Sequence, residues 1–161
     1  MRYVLFALAF SLPAMGTGVG EIVKNYCWQD QNEKTICMDD HKNEVRVLIF
    51  SAGWCPPCNA HLPELAKKVE EFKGKKVYFI NLSLQGWKHG TPADTQFLKE
   101  WATKHGITFD VAAAPVADYK DLIADGHIPA EAIIDQNGKL IFGESGASVS
   151  TLFAKIKALN P

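Results

Sequence analysis

The feature that most constrains this chain is a pair of cysteines between a predicted buried strand and a predicted helix. Residues 45–50 read Val-Arg-Val-Leu-Ile-Phe, and such an apolar run is typical of a strand covered on both faces. Cys55-Pro56-Pro57-Cys58 follows shortly afterwards. Residues 59–72 then place apolar side chains at helical spacing, and Gly74 ends the pattern. The sequence therefore predicts both cysteines at the amino end of a helix that follows a central strand.

This position favours redox chemistry. The amino end of a helix carries partial positive charge and free backbone N–H groups, so the pKa of a thiol placed there falls. Cys55 is predicted to be the exposed nucleophile, and Cys58, about one helical turn further on, the buried thiol that resolves a mixed disulfide. Pro56 and Pro57 cost little there because the first helical amides have no partner inside the helix.

Three other interpretations of Cys55 and Cys58 stay open. Half of a zinc site is disfavoured because Cys27 and Cys37 do not form a second Cys-x-x-Cys. A purely structural disulfide would add little constraint at a helix tip, and two buried free thiols are disfavoured in an exported protein. We expect no metal and no other cofactor.

Cys27 and Cys37 lie in a predicted β-hairpin over residues 26–38. Centring the turn at Asn32 places Cys27 directly opposite Cys37, and cross-strand neighbours have Cβ atoms close enough for a disulfide. We expect a structural disulfide that contributes about 2–3 kcal/mol in the chain-entropy model. The alternative is a second redox pair, which is disfavoured because neither cysteine resembles a thiol activated at a helix tip.

Residues 1–18 are predicted to be a signal peptide. Met1-Arg2 is a minimal positive region, residues 3–12 are uncharged, and small residues follow Pro13, with cleavage expected after Gly16 or Gly18. The apolar run is shorter than the roughly 20 residues that a spanning helix needs, although a retained anchor is the alternative. The sequence thus predicts a periplasmic or otherwise exported protein, in an oxidising compartment.

Composition limits the remaining function classes. The full chain of 161 residues has 17 basic and 18 acidic side chains, so no basic surface for nucleic acid is indicated. The same balance disfavours a polybasic role at a membrane surface. A chain of this length suits one domain, which we place at residues 19–161 and expect to be monomeric.

The pattern of the rest predicts an α/β fold. Beyond the cysteine helix we expect a strand at 77–82, a helix opened by Thr91-Pro92 and closed by His105-Gly106, and a strand pair at 132–135 and 139–142. Ser148 is predicted to cap a last helix. A short extended piece at 107–111 and a short helix at 116–124 complete the prediction. The order is β-α-β-α-β-β-α after the hairpin, which indicates a mixed central sheet with helices on both faces.

Several of these residues together resemble the thioredoxin superfamily, and specifically its exported TlpA/ResA-like thiol–disulfide oxidoreductases. The resemblance covers about residues 45–161. It rests on Trp54 before the cysteines, Pro63 after them, Ile128-Pro129 before the last hairpin, and the turn at 135–139. Together these residues form a specific signal, whereas each alone is weak.

The resemblance implies a thioredoxin-like fold with a cis peptide at Ile128-Pro129 that faces the cysteines. It further implies that an extended substrate segment pairs with the backbone there, with Trp54 and Pro56 also contacting substrate. Pro63 is expected to kink the helix.

The activity that the resemblance implies is thiol–disulfide exchange with protein disulfides or dithiols. The resemblance favours the reducing direction, for example the reduction of cytochrome c apoprotein. A membrane-bound or exported thiol electron donor would then recycle the pair. The alternatives are a disulfide-inserting oxidase and a non-catalytic binding or chaperone module. Peroxide reduction is disfavoured because no threonine lies near Cys55.

Three positions depart from the family pattern. Ile49 stands where thioredoxin has a buried aspartate, and His61 stands where exported relatives commonly have glutamate. His61 is expected either to tune the thiols or to be a partly exposed helix residue. Glu131 is expected either to touch substrate or to point to solvent. Residues 85–90 match no known motif and are expected to form a specificity loop or an ordinary connection with one packed tryptophan.

Overall fold

The computed structural model describes residues 16–161, so most of the predicted signal segment lies outside the described residues. In this described part of the chain, seven strands form one mixed sheet in the order β2-β1-β5-β4-β3-β6-β7. Within residues 16–161, no helix is both long and apolar enough to cross a membrane. The strands are β1 (Cys27–Asp30), β2 (Thr35–Cys37), β3 (Val45–Ser51), β4 (Val77–Ser83), β5 (Asp110–Ala113), β6 (Ala130–Ile134) and β7 (Leu140–Ser145). The α-helices are α1 (Pro56–Val69), α2 (Thr95–His105), α3 (Val116–Leu122) and α4 (Val149–Ala158).

The centre of the sheet is built from apolar strands that are covered on both faces. Every residue of β3 is buried, as its apolar sequence predicts. Strand β4 pairs with β3 in parallel and β5 pairs with β4 in parallel, whereas β6 runs antiparallel to β3. The carboxyl ends of β3, β4 and β5 therefore share one edge of the sheet, and Cys55 and Cys58 follow β3 at that edge.

The helices divide between the two faces of the sheet. Side chains of α1, α2 and α4, including Leu62, Trp101 and Phe153, pack into one core with Ile49 of β3. Tyr119 of α3 packs on the opposite face. The predicted α/β class, with a mixed sheet and helices on both faces, is confirmed.

The amino-terminal hairpin extends the sheet rather than forming a separate unit. Cys27 lies opposite Cys37 in the antiparallel register, which is the register that the hairpin prediction gave. A disulfide joins the two residues, whose Cα atoms are 4.1 Å apart. Gln29 pairs with Ala113 of β5, so the hairpin covers the edge that β5 would otherwise present.

The predicted start of α2 is wrong. The helix begins at Thr95, and Asp94 caps it by accepting a hydrogen bond from the backbone N–H of Phe97 over 2.8 Å. Thr91 instead closes a turn, because its hydroxyl donates to the carbonyl oxygen of Lys88 over 2.7 Å. Its predicted end is confirmed, since Gly106 adopts a left-handed conformation with φ of 63°.

The two short pieces predicted at 107–111 and 116–124 are a full strand and a helix of the fold, β5 and α3. The element order is therefore longer than the predicted β-α-β-α-β-β-α. Between the hairpin and the last strand pair it inserts one strand and one helix. Ser148 caps α4 as predicted, by accepting from the N–H of Thr151 over 3.1 Å.

Candidate active site

Cys55 and Cys58 form a disulfide across the first turn of α1. Their Cα atoms are 5.3 Å apart. Cys55 is the residue that caps the helix, and its Sγ accepts a hydrogen bond from the backbone N–H of Cys58 over 3.2 Å. Pro56 and Pro57 occupy the first two helical positions, where they remove no intrahelical hydrogen bond. The first sulfur therefore lies where a backbone donor and the helix dipole favour negative charge.

The prediction that Cys55 is exposed is wrong for this disulfide form. Cys55 is 2% exposed and Cys58 is fully buried. The sulfurs pack with Ala52 and Ile128, while the exposed residues around them are Trp54, Pro56 and Pro57. The surface at the site thus belongs to the neighbours of the disulfide.

The loop before β6 closes over the disulfide. The peptide between Ile128 and Pro129 is cis. The carbonyl oxygen of Ile128 lies 3.7 Å from Cys55 Sγ, although the two residues are 73 positions apart in the chain. The structure therefore brings Cys55, Cys58, Ile128 and Pro129 together. Substrate binding by Trp54, Pro56, Ile128 and Pro129 stays a prediction.

Asn59 holds the turn that carries the cysteines, and the sequence analysis did not identify it. Its amide nitrogen donates to the carbonyl oxygens of Gly53 and Cys55, over 3.2 Å and 2.8 Å. Its amide oxygen accepts from Lys104 of α2 over 2.7 Å. No local sequence signal indicates this role, because the lysine comes from a distant helix.

The loop at residues 85–90 packs against the tryptophan of the motif. Trp54 is 38% exposed, and its indole N–H donates to the side-chain oxygen of Gln85 over 2.6 Å. The same oxygen accepts from the backbone N–H of Gly90 over 3.1 Å. The His89 ring lies 4.9 Å from the Trp54 ring. Trp87, 39% exposed, packs against Phe97 in a T-shaped arrangement with ring centroids 5.0 Å apart. This loop is therefore part of the surface around the disulfide.

Glu131 is buried, and the expectation that it points to solvent is wrong. It is 0% exposed, and contact with substrate stays a prediction. Its Oε1 lies 2.8 Å from Nε2 of His61, whose side chain is 11% exposed. Within residues 16–161, no hydrogen bond of acceptable geometry reaches either Glu131 oxygen or His61 Nε2. The contact is therefore a close pairing of two titratable groups.

The sequence held a signal for this burial. Glu131 is the single charged residue in β6, whose other residues are Ala130, Ala132, Ile133 and Ile134. Apolar residues on both sides of a single charged one predict a strand covered on both faces, where every side chain is buried.

The residues in register with Glu131 on β3 and β4 are uncharged. Glu131 pairs in register with Ile49, and Ile49 pairs with Asn81 on its other side. The Asn81 amide donates to the carbonyl oxygen of Ile49, and its oxygen accepts from the Trp101 indole, each over 3.0 Å. Among residues 16–161 there is no cluster of three or more His, Cys, Asp or Glu placed to hold a metal ion.

The fold and the cysteine pair define a thioredoxin-like protein, and the comparisons with known proteins agree. A thiol:disulfide interchange protein of the thioredoxin family from Chlorobium tepidum TLS superposes with a TM-score of 0.71, at 18% identity, over 93% of this chain and 100% of that one. The exposed lipoprotein thioredoxin Etrx1 from Streptococcus pneumoniae superposes with a TM-score of 0.68, at 24% identity, over 84% of this chain and 100% of that one. These structures are similar to the chain in fold.

The AhpC/TSA family model matches residues 19–142. The chain belongs to the AhpC/TSA family. It is also 29% identical over 112 residues to the thiol-disulfide oxidoreductase ResA of Oceanobacillus iheyensis, a match that spans 70% of this chain and 55% of the relative. A Bacillus cereus protein of the same name is 25% identical over 123 residues, spanning 76% of this chain and 67% of the relative. The predicted resemblance to thioredoxin-like oxidoreductases is confirmed at the level of fold and family.

Proposed function

We propose that the protein is a thiol–disulfide oxidoreductase that acts on protein disulfides through Cys55 and Cys58. The observation that carries the proposal is the position of Cys55 at the amino end of α1, with its sulfur accepting from the Cys58 N–H and touching the Ile128 carbonyl. The first contact favours a thiolate, and the second places backbone beside the sulfur for an extended substrate. The curated relatives carry the name of this activity.

In the proposed reaction the Cys55 thiolate attacks a substrate disulfide and forms a mixed disulfide, and the departing substrate sulfur takes the electron pair. Cys58 then attacks Cys55, closes the disulfide and releases the reduced substrate. We favour this reducing direction. A membrane-bound or exported thiol donor would return the pair to the dithiol form.

Turnover of a protein disulfide tests the activity. With dithiothreitol as reductant, Cys55→Ser abolishes turnover. In a single-turnover mixture freed of dithiothreitol, reduced Cys58→Ser accumulates a mixed disulfide visible by intact mass. The matched control is Cys27→Ser with Cys37→Ser, which removes the other cysteine pair and keeps turnover. Two results together would instead indicate a binding module. The wild-type protein would show no turnover, and Cys55→Ser would bind substrate as tightly as wild type. Reduction of hydrogen peroxide without reduction of protein disulfides would indicate the peroxidase alternative.

The direction is tested by a redox equilibrium in glutathione buffers, with each cysteine pair read by alkylation and mass. A Cys55–Cys58 potential near or below roughly −200 mV supports a reductant, and one near about −120 mV supports a disulfide-inserting oxidase.

We further propose export to an oxidising compartment, where the hairpin disulfide persists. The signal-like composition of residues 1–18 supports this. Fractionation and amino-terminal sequencing of the mature protein test it, with a start at residue 17 or 19 expected. The backbone N–H of Thr17 donates to the carbonyl oxygen of Asp121 over 2.6 Å, so cleavage after Gly16 keeps a contact that cleavage after Gly18 removes.

A further inference from the structure

Cys58, His61 and Glu131 follow one another from the start of α1 to β6. His61 follows Cys58 by three residues on α1, and residues at that spacing are neighbours on a helix, with Cβ atoms about 5–6 Å apart. The carboxylate of Glu131 lies 2.8 Å from His61 Nε2. Cys58 and Glu131 are fully buried. The Cys58 sulfur, the His61 imidazole and the Glu131 carboxylate thus come in this order from the start of α1 to β6.

Stability alone does not account for the His61–Glu131 pair. Removing a carboxylate from water is costly unless it is paired and hydrogen-bonded, and well-packed apolar residues in place of a buried ion pair are often neutral or stabilising. Within residues 16–161, neither Glu131 oxygen gains a hydrogen bond of acceptable geometry in return. In the exchange reaction Cys58 must lose its proton before it attacks, and His61 of the pair follows Cys58 along α1.

We propose that the His61–Glu131 pair takes up the proton of Cys58 in the second half of the exchange: the imidazole accepts it and the buried carboxylate stabilises the imidazolium. This inference rests on the proposed function. In that half-reaction the S–H bond of Cys58 breaks and its proton passes to His61. The Cys58 sulfur bonds to the Cys55 sulfur, and the bond between Cys55 and the substrate breaks. The electron pair leaves on the substrate sulfur, and His61, which is partly exposed, returns its proton to solvent.

Within residues 16–161, the other charged groups on the elements packed around the pair are exposed or engaged by other partners. Ile49 and Asn81, the neighbours across the sheet, are uncharged. Glu144 of β7 lies opposite Glu131 in register and is exposed. On α1, Glu64 and Lys67 are exposed. On α2, Lys99 and Glu100 are exposed and His105 is buried. The remaining lysines of the packed helices are engaged elsewhere, with Lys104 on Asn59, Lys155 over Phe142, Lys157 on Glu71 and Lys68 over Phe153.

Stopped-flow kinetics with dithiobis(nitrobenzoate) separate the two half-reactions. The protein is reduced at Cys55 and Cys58 alone, with the Cys27–Cys37 disulfide intact by mass. Attack by Cys55 releases the first coloured thiolate in a bimolecular phase, and attack by Cys58 releases the second in a unimolecular phase. The first phase tests the proposed function and the second tests the pair, so the two failures are distinguishable.

We expect Glu131→Gln and His61→Gln each to slow the second phase at least tenfold near neutral pH, because a positioned base typically accelerates proton transfer by about 100-fold or more. The first phase stays within twofold of wild type. The double variant is slowed about as much as either single variant, since the two residues act as a unit. In all three variants the second phase depends more steeply on hydroxide concentration, because solvent must take the proton.

Glu144→Gln is the matched control, since it neutralises the register neighbour of Glu131 and leaves both phases unchanged. The double variant also keeps the test available if His61→Gln fails to fold, because it leaves no uncompensated buried charge. An unchanged second phase in Glu131→Gln or in the double variant overturns the proposal. Equal slowing of both phases also overturns the proposal. So does a double variant that is slowed by the product of the two single-variant factors.

Discussion

The indole N–H of Trp54 donates a hydrogen bond to the side-chain oxygen of Gln85, 2.6 Å away. This bond fixes an exposed aromatic ring next to Cys55 by means of a residue from the turn after β4. Because Gln85 also accepts from the Gly90 N–H, one side chain sets both the ring and the loop beside it.

Replacing Gln85 with leucine frees the Trp54 ring and the loop. A hydrogen bond of this kind contributes about 1 kcal/mol, so we expect KM for a protein disulfide to rise up to about fivefold. The attack of Cys55 on a small aromatic disulfide stays unchanged. The control is Gln96→Leu, which removes a hydrogen bond to Glu100 on the exposed face of α2. An unchanged KM in Gln85→Leu would show that the ring needs no such support.

Gly53 leaves no room for a side chain. A Cβ built there would lie 2.5 Å from the carbonyl oxygen of Gly86 and 2.7 Å from a ring carbon of Phe97. We expect Gly53→Ala to lower the free energy of unfolding by about 1–3 kcal/mol, the usual cost of overpacking. It also shifts the turn that carries Cys55. Urea unfolding measures the first effect, and a midpoint equal to that of wild type would contradict this assignment.

Burial of His105 makes stability depend on pH. Desolvation, and secondarily the charge of Lys104, lowers the pKa of His105 from 6.5 to about 4. In the unfolded chain His105 takes up its proton near pH 6.5, whereas in the folded protein it does so only near pH 4. The free energy of unfolding is therefore highest above about pH 6.5. It falls as the pH decreases from there towards about 4, by at most about 3 kcal/mol.

His105→Leu removes this titration and flattens the curve of unfolding free energy against pH over that window. The exposed His89 supplies the control, because His89→Gln leaves the slope in place. A slope that persists in His105→Leu would assign it to other groups.

Asp94 begins α2, so Asp94→Ala is expected to cost about 1 kcal/mol of stability. Hydrogen exchange locates the effect, because the Phe97 amide that Asp94 caps exchanges faster in the variant. Thr91→Ala is the contrast. It loosens the turn to Lys88 and leaves the Phe97 amide protected. Faster exchange in Thr91→Ala alone would restore the helix start predicted from the sequence.

The hairpin disulfide is expected to be structural. Cys27→Ser with Cys37→Ser lowers the free energy of unfolding by about 2–3 kcal/mol in the chain-entropy model and keeps turnover of protein disulfides. Guanidinium unfolding and the dithiothreitol assay measure the two effects. A folded double variant without turnover would make this cysteine pair a redox partner of Cys55 and Cys58.

The predictable part of the molecule is the part that local patterns determine. The turn at Asn32 fixes the register of the hairpin, so the partner of Cys27 follows from counting residues. An apolar run followed by two prolines at the first helical positions places Cys55 at the start of α1. A glycine after the last apolar turn marks the end of α2.

The parts that escaped prediction depend on partners distant in sequence. Thr91-Pro92 has the composition of a helix start, but the Asp94 carboxylate caps α2 and Thr91 bonds to Lys88. The low exposure of Cys55 depends on Ile128, which is 73 residues away. The burial of Glu131 depends on its place in a central strand, so its contact with His61 follows from topology rather than from its neighbours in sequence.

The hairpin also gives the sheet a protected edge. Strand β5 would otherwise present unpaired N–H and C=O groups, which recruit strands from other molecules and begin aggregation. The pairing of β1 with β5 covers those groups, and the outermost strand, β2, is only three residues long. Since the Cys27–Cys37 disulfide holds β1 and β2 together, a reducing medium loosens this cover. We therefore expect reduction of that bond to affect the colloidal behaviour of the protein as well as its stability, and samples that keep it oxidised to remain dispersed for longer.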